Sequence, residues 1–139
     1  MIHLLDTSAI LTHLLDEPGS DDVADLLAQG PERVLLAAPT WVELDRRLRE
    51  LIAENDERER VFNIYTKDLS RMAILDMKAI KAALLIQSKI SQRIPMVDAL
   101  IAGCASAHNA TLVHRDPHFD TIPASQLKTL RLPDKIRDR

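Results

Sequence analysis

Apolar and polar positions along this chain fall into two alternating rhythms: short apolar runs, then stretches with three- and four-residue spacing. "IHLL" at the start predicts a first strand, and "SAILTHLLD" a helix after it. "SDDVADLLAQG" predicts a second helix, with Ser20 as its N-cap and Gly30 as its stop. "RVLLAA" is a second strand, ended by Pro39. "TWVELDRRLRELIAEN" has the strongest helical signal: Trp41, Leu44, Leu48, Leu51 and Ile52 recur on one face. "DERERVFNIYTKDL" continues as a more polar helix. "RMAILDM" is a third strand and "KAIKAALLIQSKIS" an amphipathic helix. "PMVDALIAGCASAHN" is apolar almost all round, the mark of a buried helix. "ATLVHR" and "LKTLRL" supply a fourth and a fifth strand. Strands alternating with helices imply a mainly parallel sheet covered on both faces. The expected architecture is a three-layer α/β/α fold: one domain over residues 1–133, then a polar, frayed tail over 134–139.

Four carboxylates interrupt this pattern. Asp6 follows the first strand, and Asp116 follows the fourth. Glu43 falls in the first turn of the helix after the second strand. Asp98 lies near the start of the apolar helix, among Met96, Val97, Ala99 and Leu100. In an open parallel sheet, strand C-termini and the adjoining helix N-termini share one edge, where ligand sites gather. Each acid also has a plainer reading. Asp6 can cap a helix, Glu43 can complement a helix dipole, and Asp98 can act as a cap after Pro95. Asp116 before Pro117 can start a turn. Four independent caps are a weaker account than one shared site. Clustered carboxylates resist ionising together, and a divalent cation relieves that. Hard oxygen donors suit Mg2+ or Mn2+, and such a site serves phosphodiester hydrolysis.

The bulk numbers narrow the alternatives. With 139 residues, one core is feasible, and 46% hydrophobic with 28% charged residues is ordinary for a globular chain. Aromatics are only 3%, so the core is aliphatic and so few rings argue against a long stacking platform for single strands. A net charge of -3 argues against a general nucleic-acid coat protein. The single cysteine, Cys104, sits in an apolar stretch and reads as a small buried residue in a reducing cytoplasm. "MIHLLDTSAILTHLLDEPG" carries Asp6 and lacks a basic leader, so it is a poor signal peptide. No apolar run approaches the roughly 20 residues of a membrane span. Zinc spacing, a Walker loop and a G-x-S-x-G elbow are all missing, and only 3 glycines are present to build a phosphate cradle.

"LLDTSAIL", "PTWVEL" and "IPMVDALIAGCASAHNATLVHRD" followed by "PHF" together resemble a PIN domain, and more narrowly the VapC toxins of VapBC toxin–antitoxin pairs. The resemblance spans nearly the whole chain. Its most specific part is "DALIA" followed by "RDPHF", which sets Asp98 eighteen residues before Asp116. It implies a sheet order of 3-2-1-4-5, with Asp6 and Asp116 side by side. It also implies a homodimer, and a Mg2+-dependent endoribonuclease (Mn2+ able to substitute) inhibited by a VapB-type antitoxin. The family's acidic quartet maps onto Asp6, Glu43, Asp98 and Asp116. Thr7 matches the hydroxyl residue after the first acid, and either supports the site or caps the helix. Many PIN domains carry Thr or Ser two residues before the last acid. Here that residue is His114, which can touch phosphate or simply end the strand. Asp120 is a further acid near the rim, either a supporting group or a solvated one.

An RNA substrate calls for cations around an acidic pocket. Arg46 and Arg47 follow Glu43 by one helical turn, Arg115 adjoins Asp116, and Lys89 and Arg93 precede the Asp98 helix. Surface pairing is the plainer role for each. Two other classes compete with a nuclease: a PIN-like module that binds without cutting, and a Mg2+-binding phosphotransfer receiver. A receiver needs an acceptor aspartate ending the third strand, and Asp76 lies near there.

Overall fold

A computed structural model describes residues 1–135 of the chain. Five strands form one sheet in the order β3-β2-β1-β4-β5, every neighbouring pair parallel. They are β1 His3–Leu5, β2 Val34–Ala37, β3 Arg71–Ala73, β4 Thr111–His114 and β5 Thr129–Arg131. Leu4 sits opposite Leu35 in β2 and Leu112 in β4, so β1 is the central strand. This is the expected order. A receiver-type doubly wound sheet runs 2-1-3-4-5. Here β3 lies at the edge, and Asp76 caps a helix by accepting the Ala79 N–H at 3.0 Å. The receiver reading is set aside.

The central strands are buried on both faces, and their side chains alternate between two apolar clusters. Leu4, Leu35 and Leu112 pack with Ala79 and Ile86 of α5 Met77–Lys89 and with Ala99 and Ile101 of α6 Met96–Ala107. Leu5, Leu36 and Val113 face the opposite layer. That layer holds α1 Thr7–Leu14, α2 Ser20–Leu27, α3 Ala38–Leu51 and α4 Asn55–Asn63. The three-layer expectation holds.

Several boundaries differ from the sequence reading. Gly19, at φ 97°, is the N-cap of α2, and Ser20 is its first helical residue. Only glycine takes that left-handed conformation cheaply. Helix α3 begins at Ala38, with Pro39 inside its first turn, where a fixed φ and a missing N–H suit a helix start. It ends at Leu51, which is exposed, while Leu44 and Leu48 carry the buried seam. The polar helix α4 gives way to a π turn over Ile64–Asp68. Met96 and Val97 open α6 in solvent, so that helix is buried only from Asp98 onward. Cys104 is fully buried, as expected, and burial pushes its thiol up to about 11.

The stretch after β5 packs back onto the fold as far as it is described. Leu132 is buried against the α1–α4 layer, and its N–H donates to the His114 carbonyl at 2.7 Å. Asp134 pairs with Arg131 at 2.9 Å and Lys135 with Glu17 at 3.3 Å. Residues 136–139 of the expected tail lie outside the described residues. Among the described residues, no helix is long and apolar enough to cross a membrane.

Candidate active site

Because β1, β2 and β4 run parallel, their C-terminal ends open on one edge of the sheet. Asp6 stands there just past β1, its N–H still bonded to the Val113 carbonyl of β4 at 3.0 Å. Its carboxylate caps α1 through the Ser8 N–H at 3.4 Å and accepts the Ser8 hydroxyl at 2.7 Å. The cap and the site are therefore one and the same carboxylate. Ser8 Oγ also accepts the Arg115 N–H at 2.9 Å, which ties the end of β1 to the end of β4. Sequence reasoning gave Ser8 no role, although it stands in the quoted "DTS".

Asp116 follows β4 and caps a short 3-10 turn over Pro117–Thr121 by accepting the His118 N–H at 2.9 Å. Asp98 is buried in the first turn of α6, where no side chain caps the helix. The two acids meet through a residue the sequence reading missed. His118 Nδ1 lies 3.2 Å from Asp98 Oδ2 and 3.0 Å from Asp116 Oδ1. One donor atom from each of these three residues fits within 4.8 Å of the others. The available signal was the fixed turn of "DPHF", where Pro117 restricts the backbone between Asp116 and His118.

Asp6 and Glu43 lie outside that trio. They line an adjoining open hollow of about 550 Å³ with Thr7, Ser8, Arg46, Arg47, Arg115 and Asp116. Glu43 sits in the second turn of α3, because the helix starts two residues earlier than its spacing suggested. The dipole explanation for this acid therefore falls away, since that effect fades beyond the first turn. Glu43 is the electrostatic link, because its charge raises both Asp6 and Asp98.

Burial is the main reason that Asp6 is pushed up to about 7; the Glu43 charge adds to it and the Ser8 hydrogen bond opposes it. Burial likewise lifts Asp98 to about 6, with Asp116 adding repulsion and His118 opposing. Two carboxyls held that high beside two more acids form a group that resists full ionisation at neutral pH. Hard oxygen donors in such a group fit a divalent cation. Thr7 lines the same hollow, and its Oγ1 is buried with no partner among the described residues.

The remaining candidates separate. His114 is fully buried, packs edge-on against Phe119 and accepts the Asp116 N–H on Nδ1 at 3.1 Å. Burial holds it below the ordinary histidine range, so it stays neutral. It is bonded to the Asp116 backbone and has no exposed surface. Asp120 is paired with Arg131 instead of facing the hollow. The Arg115 guanidinium is largely buried and bonded to Glu17 at 2.8 Å. Arg47 pairs with Glu50 at 3.1 Å. Arg46 is exposed on the rim and forms no ion pair among the described residues.

Comparison with known proteins agrees with this geometry. No curated protein sequence matches the chain. Solved structures do. The VapBC2 complex of Rickettsia felis, bound to a DNA fragment from its promoter, superposes with a TM-score of 0.77 at 19% identity, covering 96% of this chain and 100% of that one. FitAcB of Neisseria gonorrhoeae gives 0.72 at 26% identity, over 94% and 97%. The Mycobacterium tuberculosis toxin VapC20, which cleaves the sarcin-ricin loop, gives 0.63 at 14% identity, over 84% and 92%. The PIN domain family matches residues 3–124, a span that contains all four acids and His118. This chain belongs to the PIN domain family.

Proposed function

We propose that the chain is a VapC-type toxin, a divalent-metal-dependent endoribonuclease that hydrolyses RNA phosphodiester bonds and is silenced by a VapB-type antitoxin. The activity resides in one domain over residues 1–133, acts in the cytoplasm and works as a homodimer. The observation that carries this reading is the convergence of Asp6, Glu43, Asp98 and Asp116 on one sheet edge, although they are far apart in sequence.

Asp98 and Asp116 would hold the ion, with Asp6 and Glu43 completing its acidic surroundings. A divalent ion in such a pocket supplies charge neutralisation and an activated water for in-line displacement. The chain's own residues prepare that pocket. Ser8 fixes the Asp6 carboxylate, and the neutral His114 ring fixes the backbone of Asp116. Thr7 lines the wall with a hydroxyl that has no protein partner among the described residues. Burial lifts both Asp6 and Asp98 toward neutrality in the metal-free chain, so uptake of a divalent ion would release protons from this pocket. Arg46, exposed on the rim, is the cation that meets the RNA backbone, while Arg47 and Arg115 are paired with Glu50 and Glu17. An antitoxin fits the same logic by placing a basic side chain against the acids.

The deciding experiment incubates the partner-free protein with total cellular RNA in Mg2+, in Mn2+ and in EDTA, beside Asp6→Asn and Asp98→Asn. Discrete metal-dependent fragments are expected, with activity down by about 100-fold or more in both variants, the scale at which loss of even an outer metal partner acts. A chain that binds divalent metal but cuts no RNA would refute the ribonuclease. One that neither binds metal nor cuts would be a binding module.

A further inference from the structure

The donor trio differs from an all-carboxylate site in one respect: its third member is an imidazole. We propose that His118 is a nitrogen ligand of the divalent ion held by Asp98 and Asp116, and that it tilts the pocket away from Mg2+ toward Mn2+ and later first-row ions. This rests on the metal-dependent reading above.

The placement of His118 is built into the fold. Its turn is anchored on one side by Asp116, which accepts the His118 N–H, and on the other by Phe119, which is buried against His114. Pro117 restricts the backbone between them. The ring nitrogen is thus delivered to the two carboxylates while half of the side chain remains open to solvent, so entry to the trio is not blocked. The separations of 3.0 and 3.2 Å from Nδ1 to the carboxylate oxygens also suit coordination. Adjacent corners of an octahedron with bonds of about 2.1 Å lie about 3 Å apart. Carboxylates alone suit Mg2+, whereas imidazole suits transition ions and affinity rises along the Irving–Williams series. A nitrogen in the set therefore shifts the preferred ion without any change in the acids.

The other four histidines stand outside the trio. His3 and His114 are buried, His13 Nδ1 is bonded to Tyr65 at 2.6 Å, and His108 Nδ1 to the Cys104 carbonyl at 2.9 Å. A nitrogen signal on a bound ion is therefore assignable. Electron spin echo spectroscopy of the Mn2+-loaded protein should show coupling to a directly bound 14N, lost in His118→Asn and in His118→Asp. Competition between Mg2+ and Mn2+ should show the preference for Mn2+ falling by about tenfold or more in His118→Asn, a typical effect of perturbing a metal's ligand environment. Mn2+ bound without 14N coupling, or coupling that survives in both variants, overturns the role of His118 and leaves a carboxylate pocket standing. If the wild type binds no Mn2+ at millimolar concentration, both the nitrogen ligand and the metal-dependent reading fall.

Discussion

Asp6 carries two duties that compete: it caps α1 and it sits ionisable in a buried edge of the sheet. In the folded chain it holds its proton up to about 7, against 3.8 for an ordinary aspartate. The native state thus binds more protons than the unfolded state between those values, and stability falls as pH rises through that window. Asp98, lifted to about 6, acts in the same direction. Asp6→Asn keeps a good capping residue and removes the charge. In thermal melts with EDTA, the variant should gain on the wild type between pH 4.5 and 7.5, and parallel curves would refute the shift. The position of each acid was legible in the sequence, because a carboxylate just after a strand or inside an apolar run stands out. The partners were not. Ser8 and His118 are ordinary in sequence, and only the folded chain shows that one bonds Asp6 and the other bridges Asp98 and Asp116. His114 was open between two roles, and its complete burial favours the structural one.

At the scale of elements, apolar spacing located each helix and strand, while the ends followed rules the spacing does not carry. Pro39 reads as a strand stop but belongs to the first turn of α3, which moves Glu43 into the second. The π turn after α4 has no apolar signature; it closes through the Leu69 N–H to the Ile64 carbonyl at 2.9 Å. Helix α6 owes its position to a missing side chain. A Cβ at Gly103 would lie 2.5 Å from the Ala79 carbonyl oxygen and 2.8 Å from Ala83 Cβ of α5. A backbone oxygen cannot step aside as a flexible side chain can. Gly103→Ala should therefore destabilise by about 1–3 kcal/mol through overpacking, although alanine favours a helix by roughly 1 kcal/mol. Urea denaturation would read the net loss. Unchanged stability would mean that α5 and α6 do not approach this closely. The same displacement would move Asp98, which rides on α6.

At the scale of the whole molecule, the strand order does the assembling. With β1 between β2 and β4, the segments carrying Asp6, Glu43 and Asp116 leave adjacent strands at the same edge. The C-terminal segment then closes the layer behind them. Leu132 is 2% exposed and its N–H is held by the His114 carbonyl, so it braces the strand end that carries Asp116. Leu132→Ala should lose about 2–5 kcal/mol, the range for a buried leucine. An unpacked segment after β5 would lose almost nothing, and a denaturant midpoint distinguishes the two.

Composition, periodicity and four misplaced acids were enough to reach an α/β sheet, its layers and an acidic metal-type edge. These are local properties: period two against period three to four, and charge where burial disfavours it. Resemblance to the PIN family supplied the strand order. Folding alone brought together groups from separate segments. It paired His118 with Asp98 across twenty residues, joined Ser8 to Arg115 between neighbouring strands and locked Arg115 to Glu17. Such contacts depend on where elements pack, a long-range outcome of burying two apolar faces at once, and no local pattern encodes it.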